Sequence, residues 1–83
     1  MKKIVFFTAP WCAGCKTLKP HVEKLRGKLE IEYVDVEQNP VEAEAYGVTN
    51  LPTLFFLHDG ELVKHRTGAS ETVIRDLILF ANE

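Results

Sequence analysis

Eighty-three residues are the size of one domain, and residues 1–83 are treated as a single unit. Hydrophobic residues make up 46% and charged residues 27%, which is ordinary for a soluble globular chain whose core is limited by its length. The net charge is −2 with both signs interspersed, which excludes a basic nucleic-acid stripe and an acidic binding tail.

The N-terminal MKKIVFF has the charged start and apolar run of a secretory leader, and AGC ends like a lipoprotein cleavage site. Neither reading is adopted. The apolar run Ile4 to Phe7 is four residues long before Thr8, and Pro10 and Trp11 then interrupt the chain. Cleavage before Cys15 would also remove a strand and a cysteine. Lys3–Thr8 instead reads as a short buried strand, ended by Pro10. From Cys12 to about Arg26 the pattern predicts a helix. Leu18, Val22, Leu25 and Leu29 fall at i, i+4, i+7 and i+11 on one face. Pro20 is expected to kink this helix and Gly27 to cap its C-terminus.

Leu29–Val36 reads as a second strand. In NPVEAEAYG, Asn39 is the expected N-cap of a short helix, Pro40 its first residue, Glu42 the partner in a capping box, and Gly47 the stop. Thr53–Leu57 is a third, fully buried strand. Asp59-Gly60 signals a hairpin turn, and Leu62–Thr67, of mixed polarity, is the returning edge strand. Ser70 caps a last helix with Val73, Ile74, Leu77, Ile78 and Ala81 on its apolar side. The order is βαβαββα, with the first two strands parallel and the last two a hairpin. It predicts an α/β fold: a four-stranded mixed sheet with helices on both faces. The longest later apolar stretch, Leu51 to Leu57, contains Pro52 and Thr53 and falls far short of the ~18 residues of a membrane span. No membrane association is expected, and the expected location is cytoplasmic, where thiols are kept reduced.

The chain has two cysteines, Cys12 and Cys15, at C-x-x-C spacing where a strand turns into a helix. A sulfur at a helix start meets the unpaired N–H groups of the first turn and the positive end of the helix dipole, which favour thiolate over thiol. Cys15, one turn on, is within reach of Cys12 and can break the mixed disulfide that a first attack creates. A structural disulfide would close a very small loop, with little effect on the unfolded chain, and would be reduced in the cytosol. A zinc site needs four ligands, and only the scattered His21, His58 and His65 remain. Redox chemistry therefore outweighs a metal site or inert core cysteines.

FFTAPWCAGCKTLKP, QNP, YGVTNLPTLFFLHDGE and TGAS come in the order and at the spacing found in thioredoxins. The chain resembles the thioredoxin family over nearly its whole length. Thioredoxins carry a further N-terminal strand and helix that this sequence does not show. In length it is similar to glutaredoxin, the minimal form of the fold. The resemblance implies a minimal thioredoxin fold, with Cys12 the exposed nucleophile and Cys15 the buried resolving thiol. It implies that Trp11 is an exposed wall of the site and that Pro52 follows a cis bond beside the cysteines. The backbone of Leu51 would be left free to pair with an extended substrate. Gly68 would keep the substrate groove open, and Lys16 would favour the Cys12 thiolate.

Three departures from the family pattern carry information. Ala13-Gly14 stands between the cysteines where thioredoxins usually have Gly-Pro. Glycine disfavours helix by ~1 kcal/mol relative to alanine, and 30 mV corresponds to about 1.4 kcal/mol for a two-electron couple, so the filler bears on the redox potential. Phe6 stands at the position of the family's buried acid and Tyr33 at that of its lysine, an apolar pair replacing an ionic one. Cys15 would then lose its proton to solvent or to the Cys12 sulfur. Finally, glutaredoxins also lack that acid, but their Pro-Tyr filler and their Gly-Gly glutathione loop are missing here.

The resulting expectation is a thioredoxin-like dithiol–disulfide oxidoreductase that reduces protein disulfides. It would work as a monomer, without metal, and with no cofactor beyond a reversible Cys12–Cys15 disulfide. Its partners would be disulfide-containing proteins and a thioredoxin reductase or glutathione system. The alternatives are a glutathione-dependent glutaredoxin-like enzyme and a thioredoxin-fold binding scaffold.

Overall fold

Four consecutive buried residues, Ile4, Val5, Phe6 and Phe7, place the first strand at the centre of the sheet, because only a strand covered on both faces buries every residue. The computed structural model describes residues 1–83. In chain order the elements are β1 (Lys2–Thr8), α1 (Ala13–Glu23), β2 (Glu30–Asp35), α2 (Pro40–Ala45), β3 (Thr53–His58), β4 (Glu61–Thr67) and α3 (Glu71–Asn82). The sheet order is β2-β1-β3-β4. β1 runs parallel to β2 and antiparallel to β3, and β3 pairs antiparallel with β4.

Side chains alternate across a strand, and here the alternation divides two cores. Ile4 and Phe6 of β1, with Leu54 and Phe56 of β3, pack against Leu18 and Val22 of α1 and Val73, Leu77 and Phe80 of α3. Val5 and Phe7, with Val34 and Phe55, face Ala43 of α2 on the other side. The helices thus cover both faces. The hairpin turns through Asp59 (φ 53°) and Gly60 (φ 85°), the pair of left-handed residues that a two-residue connection between twisted strands demands. Pairing steps from Phe56–Lys64 to Leu57–Leu62, so Val63 is a bulged extra residue on the edge strand.

Three expectations are corrected. α1 ends at Glu23 with Lys24 as its C-cap in right-handed conformation, so Gly27 is not the cap. The chain continues in tight turns, with the N–H groups of Leu25, Arg26 and Lys28 donating to the carbonyls three residues earlier. These turns still direct Leu25 and Leu29 into the core. Asn39 is the N-cap of α2, but its side chain makes no capping bond; its Nδ2 donates to the Asp35 carbonyl at 3.1 Å. Gly47 (φ 70°) does end α2: its N–H reaches the Glu44 carbonyl and that of Val48 the Ala43 carbonyl, the paired bonds of a Schellman stop. On α3, Ile78 is 44% exposed while Phe80, two residues on and so on the opposite side of the helix, is buried, its ring edge-on to Phe56 at 5.1 Å.

Candidate active site

The cysteines sit where β1 has run out and α1 begins. Cys12 is the N-cap of α1, in extended conformation, and its N–H is held by the Ala9 carbonyl at 3.1 Å. It is disulfide-bonded to Cys15, with Cα atoms 5.3 Å apart. The Cys15 amide donates to Cys12 Sγ at 3.1 Å, so the sulfur takes the place that a serine or aspartate oxygen fills in an ordinary N-cap. No acidic residue stands in the first turn of α1, so no side-chain charge there opposes a thiolate. Cys12 is only 5% exposed, against the expectation of an exposed sulfur. In the disulfide form its side chain turns inward to meet Cys15 and joins the larger core.

The Leu51–Pro52 peptide is cis and Pro52 is buried. A Cβ built on Gly14 would lie 3.1 Å from Pro52 Cδ and 3.8 Å from the Ala69 Cβ. The second filler residue is therefore where helix backbone approaches the proline. Gly68 donates its N–H to the Pro52 carbonyl at 2.9 Å with φ 88°. A Cβ there would meet nothing within 4 Å, so backbone conformation, not crowding, calls for glycine at this position. Neither the N–H nor the carbonyl of Leu51 bonds within the chain.

Trp11 is 66% exposed, and its Nε1–H donates to Glu37 Oε2 at 2.6 Å. Beside it a groove runs over Val36, Ala43, Val48, Asn50 and Leu51. On another side a cleft reaches Cys15; Lys16 lines it together with Lys19, Asp35 and Thr8. Lys16 therefore flanks the cleft of the second cysteine. Of the groove, Trp11 and Leu51 were expected from the sequence; Val36, Ala43, Val48 and Asn50 were not, nor were Glu37, Asp35 and Lys19. The signal that could have found Glu37 and Asp35 is the parallel pairing of β1 and β2, which brings their C-terminal ends, and the loops beyond, to one edge. No three His, Cys, Asp or Glu side chains converge as metal ligands would, and no helix is long and apolar enough to cross a membrane.

A thioredoxin family model matches residues 1–79. The chain belongs to the thioredoxin family. It is 44% identical over 66 residues to a thioredoxin of Bacillus subtilis, a match covering 75% of this chain and 64% of that one. With a Streptomyces clavuligerus thioredoxin it is 39% identical over 69 residues, covering 80% and 64%. The chain thus spans just under two thirds of the length of these relatives. The crystallographic Fasciola hepatica thioredoxin is similar in structure, with a TM-score of 0.82 at 40% identity over 94% of this chain and 78% of that one.

Against the thioredoxin pattern, Phe6 and Tyr33 occupy facing positions in the β1–β2 register, and their rings meet at 5.2 Å. Phe6 is 1% exposed and shares the core with Cys15. The Tyr33 hydroxyl donates to the Glu23 carboxylate, which Arg26 clasps with two bonds of 2.9 and 2.7 Å. Burial first, then the bond to Glu23, pushes the Tyr33 phenol above its usual range. The Lys19 ammonium lies 4.9 Å from the Tyr33 ring centre. Phe6 and Tyr33 thus form an aromatic contact in the core, and the nearby ion pair, Glu23–Arg26, lies exposed at the end of α1.

Proposed function

We propose that the chain is a dithiol–disulfide oxidoreductase that reduces protein disulfides, working without a bound cofactor. The observation that carries this reading is the Cys12–Cys15 disulfide at the start of α1, beside a buried cis-Pro52 and an unpaired Leu51 backbone. In the reduced form the first-turn N–H groups favour a Cys12 thiolate. A substrate segment lying along Leu51 would exchange backbone hydrogen bonds with it, as in strand addition, with its disulfide presented to Cys12. Trp11 and the groove beside it would receive neighbouring apolar side chains, and Gly68 would hold the carbonyl of Pro52 on the opposite flank. Cys12 attacks, a mixed disulfide forms, and Cys15 attacks Cys12 to release the reduced substrate.

The partners in this reading are disulfide-bearing proteins and a thioredoxin reductase or a glutathione system as electron donor. The chain acts as a monomer in the cytoplasm, and Lys16 adds positive charge near the pair. The test is turnover of a disulfide-bonded protein with NADPH and thioredoxin reductase, and in parallel with glutathione. Cys12→Ser should abolish turnover, and Cys15→Ser should accumulate a covalent complex with the substrate. Turnover with glutathione alone would favour the glutaredoxin-like alternative, and none with either donor in the unaltered protein would overturn the reading.

A further inference from the structure

If the chain reduces disulfides, the buried Cys15 thiol must lose a proton when it resolves the mixed disulfide. Phe6, which shares the core with it, can accept none. The structure offers another route. A cleft of about 270 Å³ reaches Cys15 from the surface, with Thr8, Lys16, Lys19 and Asp35 among its lining residues. A water molecule's share of liquid volume is ~30 Å³, so the cleft has room for water, with Thr8, Lys16, Lys19 and Asp35 as its polar partners. Asp35 is the one carboxylate in the lining. It ends β2 opposite Thr8 and is half-buried. Its Oδ1 accepts the Glu37 N–H at 2.8 Å, and its Oδ2 has no partner within the chain.

We propose that Asp35 is the positioning residue of the resolving step: its carboxylate, through water in this cleft, takes up the proton that Cys15 releases as it attacks. The inference rests on the disulfide-reductase reading. In the mixed disulfide, Cys12 Sγ is bonded to the substrate sulfur. The Cys15 S–H bond breaks, and its proton passes to water and on to Asp35. The Cys15 sulfur bonds to Cys12, and the Cys12–substrate bond breaks, its electron pair leaving on the substrate thiolate. The cysteine pair is oxidised by two electrons and the substrate disulfide reduced by two. Asp35 then returns the proton to solvent. Lys16 and Lys19 of α1 line the same cleft and place positive charge near the developing thiolate. From β1 and the loop after it come Thr8, Ala9 and Pro10, none of which titrates in this range. Glu37, the next acid beyond β2, is engaged by Trp11, and Glu23, Arg26 and Tyr33 form a network of their own.

Reaction of the reduced protein with excess aryl disulfide, monitored by release of the coloured aryl thiolate, separates the two steps. The first phase, attack by Cys12, scales with disulfide concentration. The second, resolution by Cys15, does not. Asp35→Asn keeps an oxygen for the Glu37 N–H and removes the base. It should slow the second phase by ~10–100-fold near pH 7, within the range of general-base effects. The deficit should close as pH rises past about 8.5, where a thiol ionises unaided. An unchanged second phase overturns the proposal. So does a deficit independent of pH, or one shared equally by the first phase. A wild-type protein that releases only one equivalent of aryl thiolate, with no Cys12–Cys15 disulfide formed, would instead remove the reductase reading.

Discussion

The structure gives the glycines at positions 27 and 68 opposite meanings. Gly68 holds φ 88° while donating to the carbonyl of cis-Pro52. A side chain at such an angle costs roughly 1–2 kcal/mol. Gly68→Ala should therefore destabilise the protein by ~1–2 kcal/mol in urea unfolding. Gly27 is not among the residues with positive φ, and a Cβ there meets nothing within 4 Å. Gly27→Ala should stabilise by ~0.4–1 kcal/mol by restricting the unfolded chain. A destabilised Gly27→Ala protein would mean that this glycine caps a longer α1 after all. Spacing alone cannot separate the two cases, because a helix-stop glycine and a turn glycine both come after an apolar stripe.

At the scale of elements, the punctuation was legible wherever one residue type has one job. Asp59-Gly60 marked the hairpin, Gly47 the stop of α2, and Ser70 the cap of α3, whose Oγ accepts the Val73 N–H at 3.4 Å. The end of α1 was not legible, since the tight turns after Glu23 keep the helical spacing of Leu25 and Leu29. Nor was the tie between α1 and β2. Glu23 accepts from both Arg26 and Tyr33, and these bonds, Arg26 foremost, hold its carboxyl down at about 2 against an ordinary value of 4.5. A depressed carboxylate contributes stability that is present above its unfolded value and lost as pH falls toward its folded one. The contribution should therefore disappear between about pH 4.5 and pH 2. Solvent exposure keeps it small and sensitive to salt. Urea midpoints measured across that window should fall less steeply for Glu23→Gln than for the unaltered protein, and the difference should shrink in high salt. Parallel pH profiles at low salt would show that the clasp does not act on stability.

For the whole molecule, the unequal covering of the sheet decides where stability resides. Phe55 and Phe56 are neighbours on β3 that point to opposite faces. Phe56 is fully buried under α1 and α3, elements of 11 and 12 residues. Phe55 is 6% exposed. It lies in the smaller core against the six-residue α2, with Tyr46 at 4.8 Å and the exposed His65 stacked at 5.7 Å. Truncating a buried phenylalanine costs about 3–5 kcal/mol, and more where the surroundings cannot collapse into the cavity. The α1/α3 face is held by two long helices and includes the Cys12–Cys15 pair, so it has little room to relax. The α2 face is open at its rim, so neighbouring rings can close over the gap. Phe56→Ala should cost about 4–5 kcal/mol and Phe55→Ala about 3, both measured by urea unfolding of the disulfide form. A chain of this length has a total stability of about 4–12 kcal/mol, so Phe56→Ala should also loosen the active site, read as faster reduction of the Cys12–Cys15 disulfide by a small dithiol. Equal losses at the two positions would mean that the short helix covers its face as firmly as the two long ones cover theirs, and that the site does not draw its rigidity from the larger core.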